Sequence, residues 1–259
     1  MEEIIYNPLQ LREIFHLEFL RWLAFRTRAE SYALKGGCNM RFFFNSIRYS
    51  EDMDLDTKAI SVEFLKEVVM GILNSSSFQS NLNSFGIEKV VPPDITRAKQ
   101  TQTTQRFKIH LLTFAGEDLY TKVEFSRRGF KGKVLIQTVL NPVLRRYKLN
   151  PLVVSHYDIF SAILQKINAL SRRAVIQPRD IFDLYILSSQ YSPSFKREDN
   201  KLNIADIKKA RDRLYEVSFK QFRDTVVVYL PSEDKGNYER QSVWDEILLK
   251  VDRFIEEVQ

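Results

Sequence analysis

The sequence predicts an α+β fold, with a mixed sheet flanked by helices in the N-terminal half and a helical bundle in the C-terminal half. Two observations predict it. Between about residues 52 and 139, apolar and polar residues alternate in several short segments, as they do in half-buried strands. After Pro151, apolar residues recur mainly at helical spacing. We therefore expect a first domain over residues 1–150 and a helical domain over residues 151–259.

The elements of the N-terminal half follow from these periodicities. A short apolar segment, Tyr32–Leu34, leads into the pair Gly36-Gly37, and residues 115–118 form a hairpin turn. The pattern predicts helices at 8–29, about 38–45 and 61–74, and strands at 52–56, 104–114, 119–126 and 134–139.

The C-terminal half contains five segments with helical spacing. One of them, 218–229, is ambiguous because Thr225 is followed by three valines, which favour a strand. The five predicted helices cover residues 156–171, 179–190, 204–216, 218–229 and 241–257.

Composition limits the class of protein. The chain has 259 residues, of which 44% are hydrophobic and 28% charged, as in globular proteins. The net charge of +6 is compatible with a polyanionic partner. Cys38 is the only cysteine, so no disulfide can form within the chain. No signal-peptide pattern and no apolar run of about 20 residues is present, so we expect a cytoplasmic protein without membrane contact.

Three aspartates lie on one face of the predicted strand at 52–56. Asp52, Asp54 and Asp56 alternate with Met53 and Leu55. Aligned carboxylates repel one another unless a cation neutralises them, and Mg²⁺ prefers oxygen ligands. By itself the pattern also fits a solvated acidic edge strand.

The glycine pair Gly36-Gly37 precedes this strand. Glycines allow the backbone to approach a phosphate closely, and the start of a helix offers free amides. A phosphate-binding turn together with a pair of aspartates is typical of phosphoryl or nucleotidyl transfer through two Mg²⁺ ions.

The residues around this site carry a specific resemblance. The runs Lys35-Gly36-Gly37, Arg41-Phe42 and Arg48–Asp54 resemble the first motif of the AbiEii/AbiGii nucleotidyltransferase toxins, which have the DNA polymerase β-like nucleotidyltransferase fold. The resemblance implies that Asp52 and Asp54 hold the metals. It further implies that the NTP phosphates are bound around Gly36, Gly37, Cys38 and Ser50. Cys38 stands where the family usually has Thr or Ser.

A third acid of such sites usually comes from a neighbouring strand. Glu124 lies in the predicted strand 119–126, on the polar face that also carries Lys122 and Ser126. The resemblance implies that Glu124 completes the metal site or acts as a base on the acceptor hydroxyl. A solvent-facing pair of Lys122 and Glu124 is the alternative.

The helical half contributes a lysine and two aspartates. Spacing alone leaves Lys166 free to extend along an apolar surface, and Asp180 free to stabilise a helix N-terminus. The resemblance implies instead that Lys166 binds nucleotide phosphates and that Asp180 or Asp183 orients it or assists the transfer. Which aspartate matters more stays open.

Two stretches without acidic residues favour an RNA acceptor. They run from Ile95 to His110 and from Phe125 to Tyr157. If both flank the carboxylates, they would neutralise the phosphates of an RNA whose end reaches the metals. Their basic residues are Arg97, Lys99, Arg106, Lys108, Arg127, Arg128, Lys131, Lys133, Arg145, Arg146 and Lys148.

The sequence thus predicts a metal-dependent nucleotidyltransferase that moves NMP from an NTP to an acceptor. The resemblance implies that the acceptor is tRNA and that the chain is the toxin of a type IV toxin–antitoxin or abortive-infection system, restrained by a cognate antitoxin. Two alternatives remain. One is an NTP- or RNA-binding module with weakened catalysis, which Cys38 favours, and the other is an enzyme that modifies a protein or a small molecule.

Overall fold

The computed structural model describes residues 5–96, 98–195 and 203–258, so Arg97 lies outside the described residues. It divides into two compact units. The first holds the described residues up to Phe43 together with Tyr49–Tyr157. The second holds Phe44–Arg48 and the described residues from Asp158 onward.

A seven-stranded mixed sheet forms the first unit, in the order β3-β4-β5-β2-β1-β7-β6. The strand β2 is central because β1 pairs with it in antiparallel and β5 in parallel orientation. The strands are β1 (Tyr32–Lys35), β2 (Met53–Thr57), β3 (Ile87–Val91), β4 (Thr104–Thr113), β5 (Asp118–Ser126), β6 (Val134–Thr138) and β7 (Val153–Tyr157).

Five helices accompany this sheet. A capping box formed by Asn7 and Gln10 starts the first of them, and its buried face packs in one hydrophobic core with residues of the sheet such as Leu55 and Phe125. The helices are α1 (Pro8–Arg26), α2 (Gly36–Phe43), α3 (Val62–Leu73), α4 (Ser76–Asn83) and α5 (Asn141–Arg146). The α+β class with a mixed sheet is confirmed.

Several predicted boundaries in this unit were wrong. The first helix ends at Arg26 because Thr27 is extended, with φ −133°. The second begins at Gly36 rather than near residue 38, so the glycine pair lies inside the helix. Residues 156 and 157 belong to β7, not to a helix, because Val153–Tyr157 pairs with both β1 and β6. The elements β3, α4 and α5 were not predicted.

The second unit is helical, as predicted. The ambiguous segment 218–229 contains a helix and a 3-10 turn, and Phe222 stacks on the buried Trp244 at a ring distance of 4.4 Å. Within the described residues, no helix is both long and apolar enough to span a bilayer. The helices are α6 (Ile159–Arg172), α7 (Pro178–Ser188), α8 (Ile204–Leu214), α9 (Phe219–Thr225), α10 (Ser232–Tyr238) and α11 (Gln241–Glu257).

Candidate active site

The start of α2 lies directly against a carboxylate of β2. Gly36 joins β1 to α2 with φ +67°, a conformation that side chains rarely tolerate. A Cβ atom at this position would lie 3.1 Å from Oδ2 of Asp54. The first amides of a helix have no partner within the helix and attract anions. Gly36 therefore permits both the turn and the close approach of the helix start to Asp54.

Asp54 is a carboxylate without a partner. The register of the sheet places it between Lys35 on β1 and Glu124 on β5. Its carboxylate forms no ion pair or hydrogen bond with any residue the structure describes. Burial raises the pKa of Asp54, the charges of Lys122 and Lys35 partly oppose this, and Glu124 adds to it. Asp54 thus carries a carboxylate that no described side chain pairs with directly.

Asp52 precedes β2 and offers a second oxygen to the same place. Its Oδ2 lies 3.0 Å from Nζ of Lys122, whereas Oδ1 is buried and has no hydrogen-bond partner among the residues that the structure describes. A buried carboxylate oxygen without a donor is costly unless a cation or a ligand meets it. Asp52 and Asp54 therefore fit a hard cation such as Mg²⁺, which takes one or two carboxylates and the phosphates of a substrate.

Glu124 lies across from Asp54, but its carboxylate is paired with a base. Its Oε2 accepts a hydrogen bond of 2.6 Å from Nε of Arg106. Among the described residues, no three His, Cys, Asp or Glu side chains are grouped closely enough to hold a metal ion. The structure thus provides a pair of aspartates, and Arg106 holds one oxygen of Glu124.

Asp56, the third acid of β2, is held by other side chains. Lys35 forms an ion pair with one of its oxygens, and the hydroxyl of Tyr157 donates to the other at 2.7 Å. Tyr157 is in turn bound by the backbone amide of Lys131. Asp56 therefore links β2 to β1 and β7, whereas Asp54 has no ion pair in the described part of the chain.

Cys38 and Ser50 both hold the backbone of Asp52. The Ser50 hydroxyl donates to the Asp52 carbonyl at 2.7 Å, and the Cys38 thiol approaches the same oxygen at 3.4 Å. Cys38 is buried, and burial is the main reason why its thiol pKa is raised well above the ordinary value. The thiol therefore faces the interior, and a phosphate at this helix start would meet backbone amides.

A buried histidine, His16, supports this backbone. Its Nδ1 lies 3.6 Å from the Cys38 sulfur, and its Nε2 lies 2.9 Å from the hydroxyl of Thr121. That hydroxyl donates to the carbonyl of Glu51, so Nε2 carries the proton and donates to Thr121. Burial, assisted by Arg12, lowers the pKa of His16 to about 3, so the ring is neutral. Neither Cys38 nor His16 is ionised.

The basic partners of the carboxylates were not predicted from the sequence. Lys122, Arg106 and Lys35 contact Asp52, Glu124 and Asp56, respectively. For Lys122 a signal existed, because alternation already placed it on the face of Glu124. For Arg106 and Lys35 the sequence contained no such signal, because the register of the sheet determines which residues of neighbouring strands face each other.

Lys166, Asp180 and Asp183 come together in the helical unit. Nζ of Lys166 lies 2.8 Å from Asp180, and it also pairs with Asp183. Arg173 contacts Asp180, and Arg48 contacts Asp183. Both aspartates thus orient the lysine, and each has a second base of its own.

These charges are buried and depend on one another. Burial disfavours the charged form of Lys166, but Asp180 and Asp183 outweigh it and raise its pKa. Burial likewise opposes ionisation of Asp183, but Lys166 and Arg48 lower its pKa. Lys166 and Asp183 are therefore both charged at neutral pH.

Side chains from the described part of the stretch 95–110 line a basic cleft beside the carboxylate face. Its volume is about 480 Å³, and Lys99, Arg106, Lys108 and His110 line it together with Asp94. Arg106 borders the cleft and also pairs with Glu124, so the cleft adjoins the candidate site. In the other basic stretch, Arg127 binds Gln105 and the backbone of Ile60, and Arg146 binds Tyr49.

Comparison with known proteins decides the family. A family model described as the nucleotidyl transferase AbiEii toxin of a type IV toxin–antitoxin system matches residues 18–246. The chain belongs to the AbiEii family. This confirms the resemblance and makes the chain a nucleotidyltransferase of a toxin family. No curated protein sequence matches it significantly.

Solved structures share the fold of this AbiEii-family chain. MenT4, a nucleotidyltransferase toxin of Mycobacterium tuberculosis H37Rv, is 16% identical with a TM-score of 0.60, over 96% of this chain and 84% of that one. JHP933 of Helicobacter pylori is 19% identical with a TM-score of 0.57, over 98% and 93%. A candidate nucleotidyltransferase of H. pylori is 18% identical with a TM-score of 0.58, over 98% and 96%. At these identities the likeness concerns the fold alone.

Proposed function

We propose that this protein transfers NMP from an NTP to an RNA, with tRNA as the first candidate, in a reaction that depends on Mg²⁺. The observation that carries the proposal is the position of Asp54. Among the described residues, the carboxylate of Asp54 has no ion pair or hydrogen bond. It lies next to Asp52, whose Oδ1 has no hydrogen-bond partner there either. Its Oδ2 is 3.1 Å from the position that a Cβ atom of Gly36 would take. This geometry supports a pair of metal ligands beside a phosphate-binding helix start.

The chemistry follows from this arrangement. Mg²⁺ held by Asp52 and Asp54 would neutralise the phosphates and polarise the phosphorus–oxygen bonds. The amides at the start of α2 hold phosphate oxygens, which orients the α-phosphate for in-line attack. The acceptor oxygen forms a bond to the α-phosphorus as the bond to pyrophosphate breaks. Glu124, once released from Arg106, accepts the hydroxyl proton.

The basic cleft supports RNA as the acceptor. Lys99 and Lys108 line it without ion pairs among the described residues, so both are available to phosphates. Arg106 joins the cleft to Glu124, the group proposed to take the proton of the acceptor. An RNA backbone along β4 would therefore bring a terminal hydroxyl towards the carboxylates.

The test is transfer of labelled nucleotide. Purified protein, Mg²⁺ and each labelled NTP are incubated with total RNA, and Asp54→Asn serves as the inactive control. We expect RNase-sensitive label with the wild type only. Label that survives RNase but not protease would assign a protein acceptor, and label in small molecules would assign that class. Tight NTP binding without transfer to any acceptor would establish the binding-module alternative instead.

Membership of a toxin family supports an antitoxin as partner. We infer a type IV arrangement, which acts in abortive infection and in which the antitoxin opposes the activity of the toxin. Induction of the chain alone should arrest growth, and co-expression of its gene neighbour should restore it. Arrest by Asp54→Asn to the same extent would argue against an enzymatic cause.

A further inference from the structure

Four carboxylates, those of Asp52, Asp54, Asp56 and Glu124, lie on β2 and β5 or directly before β2. Three of them each have their own base, and among these four only Asp54 has none within the described part of the chain. The pairs are Asp52 with Lys122, Asp56 with Lys35 and Glu124 with Arg106. A divalent ion at Asp54 and Asp52 therefore has to meet Lys122.

Lys122 occupies an oxygen that a metal ion would use. Asp52 and Lys122 each precede a paired residue of the parallel strands β2 and β5, Met53 and Val123, which places them in the same row of the sheet. The ammonium lies 3.0 Å from Oδ2 of Asp52. The side chain of a lysine is a positively charged ammonium at neutral pH. The group that meets the metal is thus a cation.

We propose that Lys122 is an internal counter-ion that makes divalent-metal binding depend on the nucleotide. Without nucleotide, the metal has to displace the ammonium of Lys122 from Asp52, and no phosphate is present to receive it. Glu124 already accepts a hydrogen bond from Arg106 on Oε2. With NTP bound, the ammonium donates its hydrogen bond to a phosphate oxygen instead of Asp52, so metal and nucleotide bind together.

The same exchange adds a role in substrate binding. An ammonium transferred from a carboxylate to a phosphate keeps a charge-assisted hydrogen bond, so its displacement costs little when NTP is present. Because coupling between two ligands is reciprocal, nucleotide tightens metal binding by the same factor by which metal tightens nucleotide binding. This inference rests on the proposed metal-dependent transfer and concerns the order of binding.

The experiment measures Mn²⁺ affinity by electron paramagnetic resonance, first with Mn²⁺ alone. Lys122→Met and Lys122→Gln remove the charge, Lys122→Arg keeps it, and Lys108→Met is the matched control. Lys108 faces Lys122 across β4 and β5 and has no ion pair among the described residues. We expect the two neutral variants to bind Mn²⁺ about fivefold more tightly than the wild type. Lys122→Arg and Lys108→Met should bind it as the wild type does.

The second measurement adds a non-reactive α,β-methylene NTP, each base in turn. Nucleotide should tighten Mn²⁺ binding more in the wild type than in Lys122→Met, and thermal melting shows that each variant is folded. Equal Mn²⁺ affinity of wild type and both neutral variants would overturn the role of Lys122 and leave the proposed function intact. Failure of every protein to bind Mn²⁺, with or without nucleotide, would overturn the metal site and this inference with it.

Discussion

Replacing Gly36 with alanine tests whether the helix start and Asp54 form one site. At φ +67° a Cβ costs about 1–2 kcal/mol of backbone strain, which lowers the melting temperature by roughly 2–8 °C. The new methyl group would lie 3.1 Å from Oδ2 of Asp54, so the carboxylate or the helix has to shift by a few tenths of an ångström. Since misplacement by about 1 Å costs roughly 100-fold in rate, we expect at least about a tenfold loss of nucleotide transfer.

The matched control is Gly116→Ala in the turn between β4 and β5. Gly116 has φ +81°, and a Cβ there meets nothing within 4 Å. The backbone strain is therefore similar, but no carboxylate is displaced. Both variants are compared by thermal melting, Mn²⁺ affinity and transfer of labelled NMP. If Gly36→Ala loses no more activity than Gly116→Ala, the contact between α2 and Asp54 has no part in function.

Four further substitutions give separate expectations. Asp54→Asn should abolish transfer without lowering the melting temperature, because it removes an unpaired charge, whereas Asp56→Asn should lower it by breaking a pair. Cys38→Ser should leave NTP affinity unchanged in calorimetry, since the thiol faces the interior, and a clear gain would mean that it faces the phosphates. Asp183→Asn should cost about 3 kcal/mol in urea unfolding at neutral pH, because it leaves Lys166 with one carboxylate fewer. The lowered pKa of Asp183 means that its contribution is present above the ordinary value of 3.8 and is lost as the pH falls through the lowered value. The variant should therefore lose less stability than the wild type in acid.

The candidate site residues on α2 and β2 could be proposed from the sequence because they lie close together in it. Asp52 and Asp54 lie on one face because alternate residues of a strand point the same way. Gly36 stands out because few residues other than glycine adopt a positive φ. Local pattern is sufficient for such features. It also indicated the α+β class, because alternation and helical spacing change after Pro151.

The contacts between distant residues could not be predicted in this way. Whether Glu124 meets Arg106 depends on the register of β4 against β5, and periodicity does not determine which residues face each other. The same applies to β7, where His156 and Tyr157 continue the helical spacing of α6 but are held in the sheet by pairing with β6. Pairing with neighbouring strands overrode local preference there.

The burial of the only thiol also offers a means to observe motion. Cys38 is enclosed, un-ionised and placed at the start of α2, so a thiol reagent reaches it only when that part of the fold opens. The rate of alkylation therefore reports how often this junction opens, and a bound nucleotide should slow it. An exposed cysteine introduced elsewhere would react first, which allows a spectroscopic label to be attached without removing the native residue.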